Sequence, residues 1–285
     1  MESINFTRVD LEDSEEIRGK TNQLIKEYAL ANDVVEEVDR RLAESGSTAQ
    51  SDVTQLITER VKSNEEEDVA KVVEEPISKH QSSCLSKYYA QRYNMFNKFD
   101  EGIMLDDESW YSVTPEILAK HIAQRVTCHR VVDPFCGTGG NIIQFAFTCG
   151  HVTAIDIDPY KLECARNNAR IYGVEGKIDF ILGDALTILP LLYGLVDAVF
   201  LGPPWGGPEY IRKPVYNIEE MGRFNGLEIL DIARSVTPNV VFLLPKTIDP
   251  NQLLMCCGAG SFEIEQNFLN SELKTVTAYF GTLKA

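Results

Sequence analysis

The sequence lacks several features that mark whole classes of protein. No apolar run approaches the ~20 residues that a membrane-spanning helix needs, and the start, M-E-S-I-N-F-T-R-V-D, has no secretion-signal pattern. The four histidines lack metal-ligand spacing, and the seven cysteines include no C-x-x-C pair. We therefore expect an intracellular protein with reduced cysteines, no bound metal and no membrane association.

An excess of positive charge is also missing. The formal net charge is −16, which argues against a non-specific nucleic-acid binder. Residues 1–80 contain 20 Asp/Glu against 10 Lys/Arg, whereas residues 81–285 contain 23 against 17. Because the acidic excess is concentrated in the first third, the whole-chain charge says little about a site farther along.

Residues 1–80 form an acidic extension without glycine-rich or proline-rich repeats. The spacing of its apolar residues predicts a helix near 20–44 and, more weakly, another within 53–73. Composition leaves open whether these helices pack on the rest of the chain or the extension is partly disordered. We interpret it as a solvated appendage or an arm for a protein partner rather than as a catalytic element.

Residues 81–128 are predicted to be a helical segment that precedes the main domain. Its first part mixes aromatic with basic residues: Tyr88, Tyr89, Tyr93, Phe96 and Phe99 with Lys87, Arg92 and Lys98. That mixture suits a surface that stacks bases and neutralises phosphates, and it equally suits a helix that packs on a core; the residues alone favour packing. A second helix is expected with Thr114 as its cap and Pro115 at its first position. His121 on that helix is interpreted as a structural histidine.

Strands and helices alternate from residue 129 to the end of the chain. Predicted strands are 130–133, 151–155, 177–182, 196–201 and 240–244, and predicted helices are 139–149, 159–172, 185–192, 227–236 and 250–256. Two last strands, 262–268 and 274–280, form a hairpin around Asn270 and Ser271. This order predicts an α/β fold with a doubly wound, mostly parallel seven-stranded sheet and an antiparallel C-terminal hairpin.

Glycines and acids at successive strand ends indicate a cofactor site. V-V-D-P-F-C-G-T-G-G-N follows the first strand of this domain, and its glycines, beginning at Gly137, let a helix's amide groups face an anion. Asp156 ends the next strand, where it can accept hydrogen bonds from ribose hydroxyls, and Asp184 follows the third, where it can hold an adenine amino group. Asp133 precedes the glycines; it would repel a pyrophosphate but suits the ammonium group of a methionine. S-adenosylmethionine is therefore the better fit, and a nicotinamide enzyme is the second interpretation.

The stretch Gly202-Pro203-Pro204-Trp205 ends an apolar run abruptly. Two prolines make a stiff loop after a buried strand, and open α/β sheets bind ligands at that edge. Trp205 on this loop can stack on a flat ring, or it can be a buried tryptophan in a connection. The residues of the loop leave these two interpretations about equal.

Taken together, several motifs resemble the trimethylguanosine synthases. They are K-Y-Y-A-Q-R-Y, S-V-T-P, D-P-F-C-G-T-G-G-N, A-I-D-I-D-P, A-R-N-N-A, G-P-P-W-G-G-P-E-Y and E-Q-N-F-L-N, spread in register over residues 84–285. The resemblance implies a class I, Rossmann-like methyltransferase domain over 129–285. It implies methyl transfer from S-adenosylmethionine, with S-adenosylhomocysteine as product, to the exocyclic N2 of the 7-methylguanosine cap of small nuclear and nucleolar RNAs. The expected location is the nucleus, in the nucleolus or nuclear bodies, and also the cytoplasm.

The resemblance also implies roles for individual residues. Cofactor-binding residues would be Thr114, Asp133, Phe135, Gly137, Asp156, Asp184 and Ala185. Gly202, Pro203 and Trp205 would form the catalytic loop, with Trp205 stacked on the methylated guanine. The remaining substrate-binding residues would be Lys87, Phe96, Tyr210 and Lys246. Residues 87–99 would then both pack and bind substrate, which reverses the preference drawn from their composition.

Two positions depart from the family pattern. Gly202 stands where relatives carry serine, so only a backbone carbonyl can orient the amine there. Lys246 replaces an arginine, so a forked phosphate contact becomes a point charge. Two alternatives follow: a methyltransferase for another RNA or DNA base amine (guanine N2 or adenine N6), and a non-catalytic cap-binding protein.

Overall fold

The structure is a computed structural model that describes residues 4–9, 88–207, 210, 214–257 and 262–283. The helices predicted near 20–44 and within 53–73 fall outside these residues, as does Lys87.

One eight-stranded mixed sheet organises the described chain. Its strands are β1 (Ile4–Val9), β2 (Arg130–Asp133), β3 (His151–Asp156), β4 (Ile178–Leu182), β5 (Ala198–Leu201), β6 (Val240–Pro245), β7 (Phe262–Leu269) and β8 (Glu272–Phe280). They lie in the order β1-β7-β8-β6-β5-β2-β3-β4. The pairs among β2 to β6 are parallel, and β7 and β8 are antiparallel. The predicted doubly wound sheet with its C-terminal hairpin is confirmed.

The strands in the middle of the sheet are apolar along their whole length. Every residue of β5 and β6 is buried, because helices cover both faces of this part of the sheet. The hairpin of β7 and β8 turns at Asn270 and Ser271, which have φ values of 52° and 63°. Two consecutive residues with positive φ produce the twist that a tight hairpin needs, which is why this turn was recognisable in the sequence.

Helices flank the sheet on both faces. They are α1 (Arg92–Met95), α2 (Ser109–Ser112), α3 (Glu116–Arg125), α4 (Gly140–Thr148), α5 (Pro159–Tyr172), α6 (Ala185–Ile188), α7 (Gly226–Val236) and α8 (Asn251–Cys257). Helix α5 has the predicted ends: Asp158 caps it by accepting hydrogen bonds from the amides of residues 160 and 161, and Gly173 ends it at φ 75°.

Two expectations about the first part of the chain need correction. Thr114 does not cap α3: Pro115 is the N-cap residue, without a capping side chain, and the Thr114 hydroxyl accepts a hydrogen bond from Asn141 instead, at 3.0 Å. The sheet also has an eighth strand, β1, which pairs antiparallel with β7. A six-residue strand at a sheet edge is defined by its distant partner rather than by its own sequence, so it was not predicted.

The segment before α3 is bound to the domain by buried polar groups. The Glu116 carboxylate accepts hydrogen bonds from the Asn97 amide and the Tyr172 hydroxyl, both at 2.6 Å. At the other end of α3, Arg125 binds both Glu263 and Glu265 of β7. These contacts hold α3 against the sheet, and with it the residues that lead into it.

Candidate active site

A cavity of about 780 Å³ opens at the carboxyl ends of the parallel strands. This is the edge where open α/β sheets bind ligands. Eleven of the sequence-predicted site residues line it: Thr114, Phe135, Gly137, Asp156, Asp184, Ala185, Gly202, Pro203, Trp205, Tyr210 and Lys246. Residues from six separate parts of the chain thus meet in one place.

Two of the predicted residues do not line this cavity. Asp133 lies behind the wall and is 1% exposed. Phe96 is also 1% exposed, but it belongs to the core, where its ring packs against Tyr172 with centroids 6.2 Å apart. The structure therefore gives Phe96 a packing position and not a place on the cavity wall.

The glycine turn after β2 brings backbone close to the cavity. Gly137 has φ 53° and open space where a Cβ would stand. Gly139, at φ 98°, is the N-cap residue of α4, and a Cβ there would lie 3.3 Å from the Cα of Ala165. Glycine is required at Gly139 by both its φ and its packing, so α4 can begin directly at the cavity.

Two carboxylates at strand ends face the same cavity. Asp156 accepts hydrogen bonds from the amides of Gly137, at 2.9 Å, and Asp158, at 3.0 Å. Burial raises its pKa, although these amides oppose the shift. Asp184 caps α6 by accepting from the amide and hydroxyl of Thr187. Both side chains are held in place by local hydrogen bonds.

Asp133 is the buried charge of the site. Burial raises the pKa of its carboxyl group to about 8, with a further increase from nearby Asp156 and opposition from the Phe135 amide, which donates to it at 3.0 Å. Such a group is stabilised in its ionised form when a cation lies beside it.

Trp205 lies on the cavity wall and packs against both halves of the core. Tyr210 meets its ring edge-on, with centroids 5.5 Å apart and an interplanar angle of 88°. The hydroxyl of Tyr216 donates to the Trp205 carbonyl at 3.1 Å. The indole is therefore fixed in orientation, with part of its surface exposed to the cavity.

Close packing surrounds the Gly202 position. Its φ does not require glycine, but a Cβ there would lie 3.0 Å from Cε1 of Phe200. Phe200 is fully buried and packs edge-on against Phe145. A side chain at position 202 thus needs the Phe200 ring to shift by a few tenths of an ångström.

Basic side chains occupy one side of the cavity mouth. Lys246, at the end of β6, and Lys274, on β8, both form ion pairs with Glu272 between them. Arg223 also lines the cavity and lies over the ring of Phe224, 4.9 Å from its centroid. Sequence reasoning missed Lys274, Arg223 and Phe224. Lys274 lies within the hairpin, and only the register of β8 against β6 brings it beside Lys246.

Another part of the cavity lining is made of charged side chains: Glu108, Asp158 and Lys161. Lys161 forms ion pairs with Glu108 and Asp106. Tyr88 and Tyr111, whose ring centroids are 6.3 Å apart, add aromatic surface that sequence reasoning did not assign to the cavity.

Within the described residues, no three His, Cys, Asp or Glu side chains are grouped so that they could hold a metal ion. None of the helices found in these residues combines the length and apolar character needed to span a membrane.

Comparison with known proteins relates this site to one family. The family model for RNA cap guanine-N2 methyltransferases matches residues 128–283. The trimethylguanosine synthase of Schizosaccharomyces pombe is 38% identical over 207 residues, which cover 70% of this chain and 86% of that protein. The trimethylguanosine synthase of Saccharomyces cerevisiae is 38% identical over 179 residues, which cover 59% of this chain and 57% of that protein.

Two further similarities are more limited: one covers part of the domain in sequence, and the other concerns the fold. A tRNA (guanine(10)-N2)-dimethyltransferase of Methanothermobacter thermautotrophicus is 38% identical over 77 residues, 27% of this chain and 22% of that protein. The crystal structure of a proposed methyltransferase from Porphyromonas gingivalis W83 superposes with a TM-score of 0.54 at 15% identity, covering 83% of this chain and 59% of that one. The second similarity supports the fold alone.

Proposed function

Because the chain belongs to the RNA cap guanine-N2 methyltransferase family, we propose that its substrate is the 7-methylguanosine cap of small nuclear and nucleolar RNAs. Methyl groups pass from S-adenosylmethionine to the exocyclic N2 and yield 2,2,7-trimethylguanosine. The observation that carries this proposal is the position of Trp205: it lines the same cavity as the glycine turn and the strand-end carboxylates.

The residues of the cavity fit S-adenosylmethionine. The amide groups at the start of α4 favour the carboxylate of its methionine part. Asp133 lies behind the cavity wall with a pKa of about 8, and it stabilises an ammonium group on the other side of that wall once its own carboxyl group is ionised. Asp156 and Asp184 offer carboxylate oxygens to ribose hydroxyls and an adenine amine. When bound, the cofactor supplies an electrophilic methyl group. The protein's part is to hold that group in line with the attacking nitrogen.

Trp205 explains why a cap that is already methylated would be preferred. The 7-methylguanine ring is cationic, and stacking a cation on an indole gains about 1–2 kcal/mol. Tyr210 holds the indole edge-on, so the stacking face is set before substrate arrives. The energy gained corresponds to about a tenfold preference over unmethylated guanine.

Orientation rather than base catalysis accounts for the chemistry. None of the described histidines lines the cavity, and the carboxylates of Asp156 and Asp184 on its wall already accept local hydrogen bonds. Beside the amine the loop offers the backbone carbonyl of Gly202, which can accept a hydrogen bond and align the nitrogen. The proton leaves for water after transfer. Alignment of reacting groups in a closed site can supply most of the rate increase.

The test is an incubation with S-adenosylmethionine and either 7-methyl-GTP or GTP, with products read by mass. We expect one or two methyl additions to 7-methyl-GTP and at least about tenfold slower transfer to GTP. Equal rates on both substrates would refute the cap proposal and favour another base amine, an alternative raised by the partial similarity to a tRNA guanine-N2 methyltransferase. Cap binding without transfer at saturating cofactor would instead establish a cap-binding protein.

We further propose a nuclear location, in the nucleolus or nuclear bodies and also the cytoplasm, because the proposed RNA substrates are nuclear. The acidic residues 1–80 are proposed to bind a protein partner rather than RNA, because their negative charge repels the negatively charged RNA backbone. Imaging of the tagged full chain tests the location. A comparison of proteins captured with and without residues 10–80, which leaves β1 in place, tests the partner proposal.

A further inference from the structure

Two thiols face each other at the amino ends of the parallel strands, on the opposite side of the sheet from the cavity. The sulfur atoms of Cys128 and Cys149 are 3.8 Å apart. Cys128 precedes β2 and is partly buried, whereas Cys149 precedes β3 and is 3% exposed. Neither thiol lines the cavity, so the proposed methyl transfer gives them no role.

The backbones that carry these thiols are hydrogen-bonded to each other. The amide of Gly150 donates to the Cys128 carbonyl at 3.1 Å, and that of His151 to the His129 carbonyl at 2.8 Å. A disulfide requires two backbones this close and side chains that point toward one another. Closing the sulfurs from 3.8 Å to bonding distance needs each to move by about 1 Å, which a rotation about χ1 provides.

The surroundings favour a thiolate on one member of the pair. Either sulfur can donate in the hydrogen bond between them. With Cys128 as the donor, the bond lowers the pKa of Cys149 and raises the pKa of Cys128. The Thr148 hydroxyl lies 3.8 Å from the Cys149 sulfur. A buried cysteine without a hydrogen-bond donor beside its sulfur is less reactive, and Cys136 is an example in this chain: burial and the nearby Asp133 and Asp156 carboxyl groups raise its pKa.

We propose that Cys128 and Cys149 are a redox-sensitive pair that forms a reversible disulfide under oxidation by a peroxide. The bond would connect the α3–β2 junction to the α4–β3 junction. In reducing compartments such bonds are transient and respond to oxidants rather than serving as permanent supports.

The chemistry balances with a hydroperoxide as the oxidant. The Cys149 thiolate attacks one peroxide oxygen, an S–O bond forms, the O–O bond breaks, and the departing hydroxide takes up a proton to become water. The Cys128 sulfur then attacks the Cys149 sulfur: the S–S bond forms, the S–O bond breaks, and the second hydroxide leaves with the Cys128 proton as water. The two sulfurs together lose two electrons, which the peroxide gains.

The experiment uses the full chain treated with hydrogen peroxide, alkylated, digested and analysed by mass spectrometry. We expect one linked peptide pair, containing Cys128 and Cys149, that disappears after dithiothreitol. Cross-linking should also raise the Tm by roughly 5 °C, because a loop of about 20 residues is closed in the unfolded chain.

Three variants make the result specific. Cys128→Ser and Cys149→Ser should each lose the linked peptide and the Tm increase, while Cys257→Ser, at the end of α8, should keep both. Serine is close to cysteine in size, and the unoxidised Tm of each variant checks that it folds. Absence of the 128–149 link in oxidised wild-type protein, or a link between other cysteines in its place, would overturn the proposal.

Discussion

The side-chain amide of Asn168 forms a hydrogen bond in each direction with the backbone of Met104, both at 2.8 Å. The same amide nitrogen donates to the Thr138 carbonyl in the glycine turn, at 2.9 Å. Asn168 is fully buried. One side chain of α5 therefore connects the segment before α3 to the turn that lines the cavity.

Asn168→Asp should damage both stability and cofactor binding. The carboxylate cannot donate to the Met104 and Thr138 carbonyls, so we expect a loss of about 3 kcal/mol in the free energy of unfolding. Chemical denaturation measures that loss, and calorimetric titration with S-adenosylhomocysteine should show weaker binding. Asn167→Asp is the neighbouring control: its half-buried side chain donates to the Gly102 carbonyl at 3.0 Å and more weakly to Asn168 Oδ1 at 3.3 Å, and it should cost less than about 1 kcal/mol. Equal effects from both changes would contradict the assigned role.

Asp133 should make cofactor binding depend on pH. With its pKa near 8, the carboxyl group behind the cavity wall is protonated in the free protein at lower pH, and it stabilises a cation in the cavity only when it is ionised. The affinity for S-adenosylmethionine should therefore rise as pH increases from about 6 to 7.5, by up to about tenfold per unit. Asp133→Asn should bind weakly with little pH dependence across that range.

The same group should reduce stability as pH rises. The pKa of Asp133 in the folded protein lies above its unfolded value of 3.8. Between these two pH values the unfolded chain binds fewer protons than the folded protein, so the free energy of unfolding falls as the pH rises. At pH 7 the cofactor-free Asp133→Asn variant should be more stable than wild type by up to about 4 kcal/mol. A variant that loses stability while keeping its affinity would refute the proposed charge pairing.

Trp205 should contribute to cap binding without affecting cofactor binding. Trp205→Ala removes the stacking face, and we expect the affinity for 7-methyl-GTP to fall by at least about 30-fold. Trp205→Phe should retain an intermediate affinity because a smaller ring still stacks. Fluorescence or calorimetric titrations check both, and binding of S-adenosylhomocysteine should stay within about twofold. Unchanged cap binding by the alanine variant would rule out stacking.

The basic side of the cavity mouth should recognise phosphate. Lys246→Ala and Lys274→Ala should each weaken 7-methyl-GTP binding by about 5–30-fold, since a charged hydrogen bond is worth about 1–2 kcal/mol. Binding of 7-methylguanosine, which has no phosphates, is the control and should hardly change. If both ligands weaken equally, these lysines support the fold of the pocket instead.

Gly202→Ser introduces the hydroxyl that the family resemblance predicts at this position. The added Cβ crowds Phe200, so we expect a small loss of stability, about 1 kcal/mol, measured by thermal unfolding. If the hydroxyl helps to orient the amine, the rate constant for methyl transfer should rise. A large loss of activity would show that the loop is shaped around glycine.

Most of the site was predictable because its residues follow strands. Asp156 is the last residue of β3 and Asp184 follows β4 by two residues, and the carboxyl ends of parallel strands share one edge. Phe96 was predicted to bind substrate but lies in the core. In a segment that mixes aromatic and basic residues, the sequence does not show which aromatic side chains point toward the core and which toward the cavity. Thr114 reached the cavity as predicted, but as a partner of Asn141 and not as a helix cap.

Local sequence alone determined the alternating strands and helices, the caps of α5, the glycine turn and the hairpin, because each depends on residues within a few positions of one another. The tertiary structure decided what depends on distant partners. It paired β1 with the edge of β7, brought Lys274 beside Lys246 through the register of β8, and placed Asp133 behind the cavity wall. It also decided that Trp205 lines a cavity while Phe96 fills the core, since exposure is a property of packing that neighbouring residues in the sequence do not specify.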